Sequence, residues 1–142
     1  EKYLRLYGIL NSFYQQFLAL RNLMELFKLE LREKYIETLQ ESDCIKLRNK
    51  IAAHSTNYSQ DRNNKQFDVY EISRPELERE NIRLLKNQED FETYNLKTAM
   101  SDFDKEAQVV LSCIIEKFLK KKFRLSTHFK YTESMEFKLF IS

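Results

Sequence analysis

Glycine and proline each occur once in the 142 residues, as Gly8 and Pro75. So few turn-formers argue against collagen-like, glycine-rich and many-turn β architectures. A single glycine also rules out the glycine-rich phosphate loops, because neither the dinucleotide-binding nor the P-loop pattern can be written with it. Cysteine occurs twice, at Cys44 and Cys113, and histidine twice, at His54 and His128. With no Cys-x-x-Cys pair, a structural zinc site and a disulfide framework are both unexpected, and a reducing, cytoplasmic setting is the default. No apolar run approaches the ~18 residues of a membrane span, so no membrane partner is expected. A large charge of one sign is lacking too: 24 basic against 22 acidic residues leave a net +2. That balance does not mark a generic polyanion binder, though a local basic patch is compatible with it.

What is present is a globular mixture, 42% hydrophobic and 32% charged. At this length folding should bury roughly 70% of the unfolded surface, enough for one real core. Leu6, Leu10, Phe13, Phe17, Leu20, Met24, Phe27 and Leu31 step by four and three, which predicts one long amphipathic helix over 3–31. Residues 34–54 read as helix with a break near 41–43, where Ser42 or Asp43 is placed to cap the second piece. Residues 55–66 are a polar loop, and 67–72 suggest a short strand. Ser73, Pro75 and Glu76 form a helix-start pattern that predicts a helix to about Lys86, followed by a polar connection over 87–95. A second apolar stripe, from Leu96 through Phe103, Val110 and Ile114 to Phe118, predicts a helix ending near Lys122. From Phe129 onward, alternation of apolar and polar residues suggests a strand or hairpin. The expected fold class is therefore all-α, an up-and-down helical bundle, with short β elements near 67–72 and in the C-terminal tail.

Few groups here carry reactive chemistry. Both cysteines sit in helical stretches and read as buried thiols, and the carboxylates fall at the spacings of solvated helix faces. His54 stands out through its context, Lys46-Leu47-Arg48-Asn49-Lys50-Ile51-Ala52-Ala53-His54. Read by themselves, Arg48 fits a surface ion pair and His54 a charge at a helix C-terminus. Read together, an Arg followed at once by Asn, with His six positions after the Arg, resembles the signature of the HEPN superfamily (higher eukaryotes and prokaryotes nucleotide-binding domains). The resemblance covers about residues 1–122, taken as a HEPN-like helical domain, and leaves 123–142 as a tail outside it.

The resemblance implies a metal-independent endoribonuclease of toxin or defence type, with no cofactor and with RNA as substrate. A 2′-hydroxyl attacks the adjacent phosphate and leaves a 2′,3′-cyclic phosphate. Arg48, Asn49 and His54 are the catalytic candidates. His54 is the side chain able to give and take a proton near pH 7. Arg48 offers a permanently charged fork to phosphate oxygens, and Asn49 a neutral orienting group. Lys46, Lys50, Tyr58, Arg62 and Lys65 are the RNA-binding candidates, four cations and one stacking ring. Six residues along an ideal helix separate two side chains by about 120° and about 9 Å of rise. The resemblance implies a homodimer that closes this gap by bringing two motif helices into one cleft, and a nucleotidyltransferase-like antitoxin as a possible partner. The alternative is a non-catalytic HEPN-like module that dimerises and binds nucleotide or RNA.

Overall fold

The computed structural model describes residues 2–52, 68–73 and 80–141, with side chains to Arg124. The elements are α1 (Lys2–Leu26), α2 (Arg32–Gln40), α3 (Asp43–Ala52), β1 (Tyr70–Ile72), β2 (Asn81–Lys86), β3 (Asp90–Asn95) and α4 (Leu96–Ile141). Among the described residues the chain is mostly helical, and three strands form one antiparallel sheet in the order β1-β2-β3.

α1 buries Leu6, Leu10, Phe13, Phe17, Leu20 and Met24, the first six residues of the predicted seam. It stops at Leu26 rather than at 31. Lys28 takes φ 49, Leu29 N donates to Met24 O at 2.9 Å and Lys28 N to Glu25 O at 3.0 Å. This is a Schellman closure, sealed by burial of both Met24 and Leu29. The break between α2 and α3 falls at Glu41 and Ser42, as expected. There the Ser42 carbonyl accepts from Ile45 N and Lys46 N, while its hydroxyl turns back to Leu39 O at 2.6 Å. α4 begins on a side-chain cap, with Thr98 N donating to Asn95 Oδ1 at 2.8 Å.

α1 and α4 run parallel, since Phe13 meets Phe103 edge-on at 5.2 Å and Phe27 meets Phe118 at 6.0 Å. The larger core lies between them, α2 and the first turn of α3, built on Phe13, Phe17, Leu20, Met24, Leu39, Cys44, Ile45, Phe103, Val110 and Ile114. A second core packs the first turns of α1 and one face of α3 on the sheet, through Leu6, Leu10, Leu47, Ile51, Tyr70, Ile82 and Leu84.

Three expectations are corrected. Residues 81–86 are strand, not the end of a helix. Residues 90–95, read as a polar connection, are its hairpin partner, with Ile82 opposite Tyr94 and Leu84 opposite Glu92. The hairpin turns through Asn87 (φ 52) and Gln88 (φ 62). Asn87 also accepts from Val69 N and donates to Asp68 Oδ1, both at 2.8 Å, so one side chain fixes the turn to β1. The tail is not strand or hairpin, because α4 continues through Lys120–Lys122 to Ile141. After Pro75 there is no glycine or proline to stop it, and each added residue extends a nucleated helix by one hydrogen bond. The sheet likewise adds a β layer that the all-α reading had confined to short elements.

Candidate functional site

α3 carries Arg48 and Asn49, the first two residues of the motif. Leu47 and Ile51 anchor the helix in the second core, and one step of about 100° from Leu47 brings Arg48 to the edge of that face. Arg48 is half-buried. Its Cζ lies 4.0 Å from the centre of the Tyr14 ring on α1, and its Nη1 donates to Asn49 Oδ1 at 3.1 Å. Its Nε is buried without a hydrogen-bond partner. No carboxylate pairs with the guanidinium among the described residues. The structure thus brings together Arg48, Asn49 and Tyr14, the last of which the sequence reading did not single out. His54 lies two residues beyond the end of α3 and outside the described residues, as do Tyr58, Arg62 and Lys65.

The two lysines of α3 sit in different settings. Lys46 forms an ion pair with Glu41 Oε2 at 2.7 Å and keeps about a quarter of its side chain exposed. Lys50 is not a surface cation. It is only 5% exposed, and its ammonium donates to Glu92 Oε2 at 2.5 Å and to Tyr94 Oη at 2.8 Å. It also lies 4.7 Å from the centre of the Tyr70 ring. Tyr70 and Tyr94 in turn donate to the Glu92 carboxylate, at 3.3 and 2.9 Å. Burial pulls the Lys50 pKa down, but the bonds to Glu92 and Tyr94 outweigh it and raise the ammonium above its ordinary value. Burial raises the Glu92 carboxyl, and the bonds from Lys50 and Tyr94 overcome it and hold the group below the usual carboxylate range. Lys50 is thereby withdrawn from the RNA-binding set. It ties the motif helix to the sheet instead. One sequence signal marked it: Lys50 falls three residues after Leu47 and beside Ile51, on the apolar side of α3.

Cys44 is buried, and burial together with Asp104 and Asp43 pushes its thiol up to about 12, which makes it a poor nucleophile at neutral pH. Among the described residues no group of three His, Cys, Asp or Glu side chains is placed to hold a metal ion. No helix among them is long and apolar enough to cross a membrane. Comparison of the chain with protein-family models, with curated proteins and with solved structures finds no match.

Proposed function

We propose that the chain is a HEPN-type, metal-independent endoribonuclease that acts as a homodimer, with Arg48, Asn49 and His54 from both copies around one scissile phosphate. One His54 takes the proton from the 2′-hydroxyl, and the partner subunit's His54 protonates the departing 5′-oxygen. Arg48 stabilises the charge that builds on the non-bridging oxygens of the phosphorane-like transition state. Asn49 orients the guanidinium through its amide oxygen. Lys46, Tyr58, Arg62 and Lys65 are the proposed RNA contacts, and a nucleotidyltransferase-like antitoxin the proposed partner in a toxin or defence setting.

The observation that carries this reading is the state of Arg48. A guanidinium used for stability normally meets a carboxylate, and this one meets a tyrosine face and a neutral amide instead. It is held in one orientation, and no carboxylate among the described residues takes its charge, which supports a role in meeting an anion. A fork already fixed in this way loses little entropy when phosphate binds.

Single-stranded RNA incubated with the chain in EDTA should be cut to 2′,3′-cyclic-phosphate and 5′-hydroxyl ends. Arg48→Ala should lower kcat by about 10²–10³-fold, and His54→Ala should abolish cutting. Cleavage that survives both substitutions rejects the site. Tight RNA binding without cleavage by the unaltered chain supports the non-catalytic reading instead.

A further inference from the structure

α4 spans 46 residues, about 70 Å as a straight helix. α1 closes just before Phe27, which sits on Phe118, so α1 covers little more than the first half of α4. Beside its core-facing stripe of Phe103, Ala107, Val110 and Ile114, α4 carries a second stripe of Asp104, Gln108, Leu111, Ile115, Phe118 and Lys122, all exposed, with Phe118 also meeting Phe27 edge-on. Their spacing is 4-3-4-3-4, the a/d spacing of a coiled-coil seam. Its apolar centre is open to solvent: Leu111 is 39%, Ile115 55% and Phe118 46% exposed.

We propose that this face is a self-complementary seam through which two copies of the chain pair with their α4 helices antiparallel. Charge selects both the occupant and the direction. Asp104 stands at one end of the seam and Lys122 at the other, and neither has an ion-pair partner among the described residues. Off the seam, Lys105 pairs with Asp102 and Lys120 with Glu116 within α4. In an antiparallel pair a positions meet d positions. The layers then read Asp104 against the partner's Lys122, Gln108 against the partner's Phe118, and Leu111 against the partner's Ile115, each repeated across the two-fold axis. Ion pairs close both ends and the apolar layers sit at the centre. A parallel pair would oppose Asp104 to Asp104 and Lys122 to Lys122, which charge repulsion disfavours. An isologous two-fold contact of this kind needs only one sequence. It also gives a long helix the tertiary packing from which helices draw most of their stability.

The seam does not depend on the ribonuclease reading. Sedimentation velocity on the full chain at micromolar concentration tests it. The unaltered chain should sediment as a dimer, and Leu111→Asp with Ile115→Asp as a monomer with unchanged far-ultraviolet circular dichroism, since both side chains are exposed. Asp104→Lys alone should weaken the dimer about tenfold or more, and adding Lys122→Asp should restore it. A monomeric wild-type chain, a dimer indifferent to the two seam aspartates, or a charge swap that restores nothing would each overturn the proposal. A seam-broken monomer that still cuts RNA would instead leave the seam standing and remove the two-copy active site.

Discussion

Lys50 brings a positive charge into the second core, and the sheet meets it with Glu92, Tyr70 and Tyr94. Removing either partner leaves the other without its counter-charge, but the two losses differ. Glu92 keeps 29% of its side chain exposed against 6% for Lys50, so a stranded carboxylate can turn to water and a stranded ammonium cannot. Glu92→Leu should therefore destabilise by about 3 kcal/mol and Lys50→Met by about 1–2 kcal/mol, with much of the loss recovered in the double variant. Urea unfolding checks the ranking, and equal effects would contradict it. The sign of the pH dependence follows from the two shifts. Glu92 is lowered on folding, so its contribution is present above its unfolded pKa and lost as pH falls through the folded one. Lys50 is raised, so its contribution is complete below its unfolded pKa and lost as pH rises through the folded one. The stability gap between wild type and the double variant should be flat from about pH 5 to about pH 10 and shift below about pH 4. At Tyr14 it is the ring that meets Arg48. Tyr14→Phe should keep any RNA cleavage, and Tyr14→Ala should lower kcat about tenfold by freeing Arg48, a loss of cation–π support of ordinary size.

At the scale of elements, the seams of α1 and α4 were legible because each buries an uninterrupted four-three stripe. The hairpin was not, and β3 explains why. Its inward positions are Glu92 and Tyr94, opposite Leu84 and Ile82, so the apolar alternation that marks a strand is missing. Those polar residues face inward because Lys50, more than 40 residues earlier in the chain, requires them. A contact that distant leaves no local pattern. The helix-start residues Ser73, Pro75 and Glu76 pulled the reading of 81–86 the wrong way, and Leu84-Leu85 suits either structure. Backbone demands yield two predictions. Gly8 lies in α1 with nothing within 4 Å of an added Cβ, so Gly8→Ala should stabilise by up to about 1 kcal/mol. Gln88 holds φ 62 without glycine, so Gln88→Gly should raise stability by about 0.5–1 kcal/mol. Thermal unfolding checks both, and a fall in Tm for either would contradict the corresponding geometry.

Over the whole molecule, α1 threads both cores. Tyr14 packs against the larger one, and Arg48, which rests on it, extends from a helix that reaches both, through Cys44 and Ile45 in the larger core and Leu47 and Ile51 in the smaller. The Arg48-Asn49 pair therefore sits where the two cores meet, on a helix that Lys50 ties to the sheet. Of the candidate site, the Arg48-Asn49 pair was legible as a pattern of residue types. Its support from Tyr14 was hidden, because a contact between α1 and α3 depends on how two helices cross. The measurement that bears most directly on the proposed two-copy site mixes wild-type chain with His54→Ala chain, allows subunits to exchange, and follows RNA cleavage against composition. If each site needs an imidazole from both copies, activity falls as the square of the wild-type fraction, to about a quarter in an equal mixture. A linear fall, to about half, would contradict it.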